Sequence, residues 1–332
     1  MVAVMSRERI RLMALGLVLA GGAAAAALTV LAFAAPLWWL FDLLTHFRPA
    51  YAVALIVAAV AAAAAARVRW AVALAIVAAV NGLVMAAALP ARSVGVGGVP
   101  LRVVVSNLDH DNPDLEPAGA WIAGVEPDLA VLVEVSGSRL GELSAALAHL
   151  PHSIEVPGAD CSGLVVLSRW PFVDDQVFAV GPAQRTSAAV AVAVDGARPV
   201  RVVATHPPPP EGSYATLCRD AHLRGVAERL ASSDLPAIVA GDLNATPWSS
   251  ALREFRRVTG LELAGGRLGP GGTWPSWLPL LRLPIDLLLH DRSIRVVDYS
   301  VGPALGSDHL PVVVDLELPA AAGSTAVAGL TE

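Results

Sequence analysis

Hydrophobic residues run unbroken by charge from Leu12 to Phe41, from Pro49 to Ala66, and from Trp70 to Ala91. Each run is near the roughly 20 residues an α-helix needs to cross a bilayer. An Arg held mid-bilayer costs about 2.5–3.5 kcal/mol on insertion scales, so clean runs flanked by Arg carry information. Buried core helices would explain one such run, but three within residues 1–92 predict a three-helix transmembrane region. Arg7, Arg9 and Arg11 precede the first helix, and Arg67 with Arg69 separate the second from the third. The positive-inside rule then puts the N-terminus in the cytoplasm and everything after the third helix outside it. Trp38, Trp39 and Phe41 fall where an outer interfacial belt would sit. A cleaved signal peptide ending near Ala32–Ala35 is the competing reading, and it delivers the rest of the chain to the same side.

The pattern changes after Ala91. Pro90–Pro100 is rich in Gly and Pro without helical period, which predicts a linker, set at 93–100. From Leu101 to Leu318 short Val/Ile/Leu-rich runs alternate with helical segments. The strand candidates are 101–106, 128–134, 163–168, 187–194, 200–205, 237–240, 285–289, 294–301 and 312–318. The helix candidates are 117–124, 138–148, 214–231 and 249–259, with Asp114 and Ser213 as expected N-caps. This is an α/β domain with two sheets or one large mixed sheet. Residues 319–332 are small and polar and read as a flexible tail.

Composition sharpens this division. At 55% hydrophobic, 16% charged and a mean hydropathy of +0.60, the chain is neither disordered nor an ordinary soluble protein. Residues 1–100 hold seven Arg against Glu8 and Asp42, a net charge of +5, which leaves −11 of the total −6 for the remainder. An acidic body argues against a protein that grips long nucleic acid, because such proteins displace counterions with a basic footprint. Cys161 and Cys218 both lie in the body, where an oxidising compartment permits a disulfide; the sequence leaves their pairing open.

Chemistry collects where the strands end. Asn107, Glu134, His206, the Gly241–Asn244 run with Asp242, then Asp286, and finally Asp308–His309 before the last strand all sit at strand ends, where α/β sheets place ligand groups. The set contains hard oxygen donors and two His, with no Cys pair and no Gly-x-Ser-x-Gly elbow. It suits Mg²⁺ or Mn²⁺ rather than structural zinc. Each residue alone has a bland reading. Asp242 and Asn244 could cap a turn, and His309 with Asp286 could be a satisfied core pair. The joint pattern in chain order makes that reading remote.

The order Asn, Glu, His, Gly-Asp-x-Asn, Ile-Asp, Ser-Asp-His-x-Pro resembles the endonuclease/exonuclease/phosphatase superfamily, which includes DNase I-like nucleases, inositol polyphosphate 5-phosphatases and neutral sphingomyelinases. The likeness covers Leu101 to Leu318 and implies a four-layer α/β/β/α sandwich preceded by the transmembrane helices. It implies Glu134, Asn107 and Asp308 at the metal. His309 would polarise the attacking water, oriented by Asp286. Asp242 and Asn244 would position water and phosphoryl oxygens, and His206 would stabilise the developing charge. The three-helix plan is also similar to actinomycete membrane proteins linked to teicoplanin resistance, which implies an envelope lipid-phosphate substrate.

The sequence departs from the family at Ser106, where an aromatic residue is frequent, and at Pro207–Pro210, a rigid stretch that leaves little room for a long substrate-gripping insertion. Asn112 matches an Asn that supports the first site loop in some members, and Gly271–Pro275 resembles a loop that could line the pocket. His46, His149, His152, His222 and His290 read as ordinary residues, Trp248 and Trp277 as packing, and His110 as a rim candidate. The Asn244–Thr246 sequon is discounted because a sugar there would block the site. The expectation is a membrane-anchored, Mg²⁺- or Mn²⁺-dependent phosphoesterase. Its partners would be the lipid bilayer and a small or lipid-linked phosphoester, with nucleic acid disfavoured and no obligate protein partner evident. A surface nuclease and an inactive binding module are the alternatives.

Overall fold

The computed structural model describes residues 6–89, 98–135, 137–158, 161–266, 269 and 271–321. Most of the expected linker (93–97) and tail (322–332) lies outside them. The described ends of both segments are ordered by the body: Val99 and Pro100 already belong to the first strand, and Ala321 N–H donates to Gly196.

Four helices precede the body: α1 (Arg7–Ala32), α2 (Trp39–Thr45), α3 (Arg48–Ala64) and α4 (Val68–Ala86). α1 and α4 are each long and apolar enough to cross a membrane. The expected middle span, 49–66, is α3, which qualifies as a span only together with the short α2, set at 66° to it. Pro49 sits in the first turn of α3, where a missing N–H leaves no helical bond unmade, so a fresh helix starts there. Small residues let α1, α3 and α4 approach: a Cβ on Gly22 would come within 2.4 Å of the Ala58 Cβ. At one end Asn81 ties the three together, accepting from Arg48 at 3.2 Å and donating to Thr29 Oγ1 at 2.9 Å.

The body holds two six-stranded sheets. One is β11 (Arg295–Val301), β12 (Val312–Leu318), β1 (Val99–Asn107), β2 (Leu129–Val133), β4 (Leu164–Ser168) and β3 (His152–Val156), in that spatial order. The other is β5 (Phe172–Val180), β6 (Arg185–Val192), β7 (Val200–Ala204), β8 (Ala237–Asp242), β10 (Asp286–His290) and β9 (Glu262–Leu263). Their inner faces meet in one core that includes Val103, Val131, Val190, Val202, Ile238 and Val314. The outer face of the first sheet is covered by α5 (Glu116–Gly124) and α6 (Gly137–Ser144), and that of the second by α7 (Ser213–Leu230) and α8 (Ser250–Thr259). The result is a four-layer α/β/β/α sandwich.

Three strands escape the hydrophobic pattern, namely β3, β5 and β9, and all three are edge strands. β5 exposes Asp174 and Asp175, and β3 carries Ser153 and Glu155 on its exposed positions, so neither reads as a buried apolar run. The expected caps are corrected as well. Leu115 and Gly212 stand at the N-caps of α5 and α7, while Ser249 caps α8 by accepting from Leu252 N–H at 3.3 Å. Asp114 still serves α5 by accepting from Glu116 N–H.

The helical region docks on the body through α2 and the end of α4. Asp42 meets Arg219 at 2.7 Å and accepts from Ser250 Oγ at 2.7 Å; Trp248 Nε1 donates to the His46 carbonyl; and Arg256 donates to the Ala88 carbonyl. α1 ends and α3 begins beside the body, and α4 returns to it. The Arg67–Arg69 turn is therefore at the far end of α3, about 25 Å away for 17 helical residues.

Candidate active site

Parallel pairing aligns the strand ends that carry the site. β1 runs parallel to β2, with Asn107 opposite Val133, so Glu134 follows immediately beside Asn107. β7 runs parallel to β8, which brings His206 next to Asp242. β10 is antiparallel to β8 with Asp286 paired to Asp242, so two carboxylates from distant sequence positions share one register. The segment before β12 delivers Asp308 and His309 to the same edge, where Ser307 Oγ donates to the Asn107 carbonyl at 2.8 Å.

Local backbone chemistry explains the Gly-Asp-x-Asn motif. Gly241 has φ +144°, and a Cβ there would stand 2.0 Å from the Thr205 carbonyl oxygen. Only glycine lets β8 pass the end of β7 this closely. Asn244 (φ +48°) and Glu134 (φ +58°) are both left-handed, strain of the kind that persists where surrounding contacts over-determine a functional residue. Asn244 is held at three points. Its N–H donates to Asp242 Oδ1 at 2.9 Å, its side chain donates to the Pro207 carbonyl at 3.0 Å, and its carbonyl accepts from Arg219 at 3.5 Å.

The site bridges the two sheets. Asn107 Nδ2 donates to Glu134 at 2.8 Å and to Asp242 at 3.2 Å. His206 lies between the same two acids, with Nε2 3.4 Å from Glu134 and Nδ1 3.1 Å from the Asp242 carbonyl. His309 Nδ1 meets Asp286 at 2.8 Å, which leaves Nε2 facing Asp242 at 3.7 Å and Asp308 at 3.8 Å. Trp274 Nε1 donates to Asp308 at 2.9 Å, and its ring lies 6.3 Å from that of His309.

These neighbours set the charges. Burial would raise the Glu134 pKa, but the bonds from His206 and Asn107 overcome it and hold the group at about 2. Burial raises Asp242, with Asp286 adding to it and the two His opposing. His309 loses basicity to burial, but Asp286 and Asp242 more than reverse this and push it up to about 10. His206 is likewise raised by Glu134 and Asp242 against its own desolvation.

The donor set fits a divalent cation. Glu134, His206 and Asp242 bring ligand atoms within 4.8 Å of one another, as do Asp242, Asp286 and His309. Asp286 Oδ1 is buried without a hydrogen-bond partner. Among the described residues no Arg pairs with Glu134, Asp242, Asp286 or Asp308, so carboxylate charge outweighs the nearby cations.

All eight sequence-predicted residues therefore meet at one edge. Their contacts differ in kind, however. Asn107 turns its amide nitrogen to the acids while its oxygen accepts from Asp109 N–H. Asp308 is about half exposed on the rim. His110 reaches Glu134 at 3.2 Å. Asn112 accepts from Asp114 N–H at 3.3 Å within its own loop and donates to the Leu305 carbonyl, where Gly306 (φ +91°) leaves room for it, so it ties the first site loop to the loop leading to Asp308. The two cysteines are unpaired. Thr246 is fully buried and the Asn244 amide is engaged, which agrees with discounting the sequon.

Four cavity residues of the helical region were not legible as site residues. Trp39, Leu43, His46 and Phe47, from the helical region, line the same cavity of about 700 Å³ as Glu134, Asp242 and His309. The available signal was Asp42 and His46, two polar groups spaced along an apolar stretch.

Paired mixed sheets in an α/β sandwich, with a His–Asp pair and clustered carboxylates at aligned strand ends, define the DNase I-like class of phosphoesterases. The model of the Endonuclease/Exonuclease/phosphatase family matches residues 104–309, and the chain belongs to that family. Its members are hydrolases acting on phosphoester bonds. Similar solved structures include an endonuclease/exonuclease/phosphatase from Beutenbergia cavernae (26% identity, 67% of this chain and 72% of that one, TM-score 0.55). A Bacteroides vulgatus protein of the same description is 20% identical over 66% of this chain and 99% of its own, with TM-score 0.54. The human nocturnin catalytic domain, solved with bound sulfate, is 18% identical over 69% and 96%, with TM-score 0.51. No curated protein matches the chain.

Proposed function

We propose that this chain is a membrane-anchored, divalent-metal-dependent phosphoesterase whose catalytic body lies outside the cytoplasm. The observation that carries the chemistry is His309, fixed by Asp286 at 2.8 Å with its Nε2 turned toward Asp242, Asn107 and Asp308. In the reaction, water forms a new P–O bond as the bond to the leaving oxygen breaks, and water's proton passes to His309 Nε2. His206, buried and hydrogen-bonded to Glu134, faces the phosphoryl oxygens as a donor, and the Asn244 loop orients them. His309 accepts a proton only when the carboxylate field around it is offset, and Mg²⁺ or Mn²⁺ held by Glu134 with Asp242 would supply that offset and neutralise phosphoryl charge.

The topology reading has support of its own. Arg7, Arg9, Arg11, Arg67 and Arg69 all belong to the end of the helical region away from the body, the distribution the positive-inside rule assigns to the cytoplasmic face. The test of function is product release by the full chain in nanodiscs with Mg²⁺ or Mn²⁺, against a generic phosphodiester and plasmid DNA, with His309→Ala as control. Diester turnover lost in the variant is the expected result. Preferential DNA cleavage would make the protein a surface nuclease, and no turnover of either would overturn the reading.

A further inference from the structure

The cavity has an apolar wall for which the phosphoryl chemistry has no use. We propose that α2 is a subsite for one hydrocarbon chain, so that the substrate is a bilayer amphiphile carrying the phosphoester at its head. The proposal rests on the phosphoesterase reading and names the substrate class for it.

Trp39, Leu43 and His46 stand at i, i+4 and i+7 on α2 and the residue that ends it, so they share one face. All three line the cavity, with Phe47 following them. The face begins at the catalytic loop, where His46 Nδ1 lies 3.0 Å from Thr246 Oγ1, two residues past Asn244. It ends at Trp39, about 10 Å further along the helix axis, beside the turn that leaves α1. Leu283 and Ile285 continue the apolar lining on the body side. A phosphoester head calls for charge and hydrogen bonds, and this stripe offers almost none. Its favourable partner is hydrocarbon withdrawn from water. The far end of the stripe joins helices long and apolar enough for a bilayer, so a lipid chain can reach it directly from the membrane that holds the enzyme.

The test uses the full chain in nanodiscs with Mg²⁺ and two probes of identical reacting group, p-nitrophenyl ethyl phosphate and p-nitrophenyl dodecyl phosphate. Water attacks phosphorus and p-nitrophenolate leaves in both. The readout is the ratio of kcat/KM for the dodecyl over the ethyl diester, compared between variants so that partitioning into the disc cancels. The expected result is that Leu43→Ser lowers this ratio about tenfold, chiefly through KM, as loss of apolar contact in a pocket does. Leu37→Ser, exposed on the neighbouring turn and outside the cavity, should leave the ratio unchanged. A ratio unaltered by Leu43→Ser, or lowered equally by Leu37→Ser, overturns the subsite and leaves the phosphoesterase reading intact. Turnover of neither diester by the wild-type chain removes that reading and the subsite with it.

Discussion

Asp42 of the helical region and Arg219 of the catalytic body form an ion pair at 2.7 Å, with both side chains almost wholly buried. The same Arg219 reaches the Asn244 carbonyl at 3.5 Å, so the contact that docks the helices also touches a strained residue of the site. A buried charge that loses its partner is left without solvent or counter-charge, at a cost of about 3–5 kcal/mol. Asp220, 2.7 Å from Arg219, keeps part of the compensation. Asp42→Ala should therefore destabilise the full chain by about 3 kcal/mol. Thermal unfolding in nanodiscs reads this, and Arg219→Leu in the same background should recover part of the loss. Additive losses in the double variant would mean that the two side chains are not coupled.

Asp286→Asn separates the shape of the His309 support from its charge. Asp286 is fully buried, and its amide replacement retains a group beside Nδ1. The variant removes the largest source of the raised His309 basicity. Diester turnover should fall by about 10²–10⁴, the usual worth of a positioned acid–base group. Thermal stability should fall as well, because buried His309 loses the carboxylate that pairs with it. A wild-type rate in this variant would assign the proton transfer elsewhere.

Glu134 stays ionised well into acid, so protons compete weakly for it. Glu134→Gln should lower Mn²⁺ affinity by at least about tenfold, measured by calorimetry on the full chain, since a charged oxygen donor is replaced by a neutral one. Unchanged Mn²⁺ binding would shift the cation site toward the Asp242, Asp286 and His309 group.

The catalytic edge was readable because its residues sit in short motifs at the ends of strands whose interiors are continuous Val, Ile and Leu. Gly241 and Asp242 end β8, and Asn107 ends β1. What escaped reading did so for different physical reasons. Edge strand β5 is a strand because it pairs with β6, although Asp174 and Asp175 hide it. His46 looked ordinary until Thr246, 200 residues on, was placed against it. The bend between α2 and α3 has a local signal in Asp42, His46, Arg48 and Pro49, but that set reads equally as a loop between two spans.

His222 looked equally ordinary, and it props the site from behind. Its Nε2 lies 2.7 Å from Oγ1 of Thr205, the residue before His206, and 3.1 Å from Ser187 Oγ. Burial, helped by the nearby His206 and Arg185 charges, lowers its pKa from 6.5 to about 4. Between those values the unfolded chain takes up a proton that the folded chain refuses. The stability is thus fully present above pH 6.5, falls as pH drops toward 4, and levels off below. The change is about 3 kcal/mol at 1.36 kcal/mol per unit. Glu134 acts in a separate, more acidic window, between its ordinary 4.5 and about 2. Unfolding of the wild-type chain and of His222→Gln, compared from pH 7 to pH 4, isolates the His222 share. The variant should lose less stability than the wild type over that range, and parallel curves would mean that His222 is protonated equally in both states.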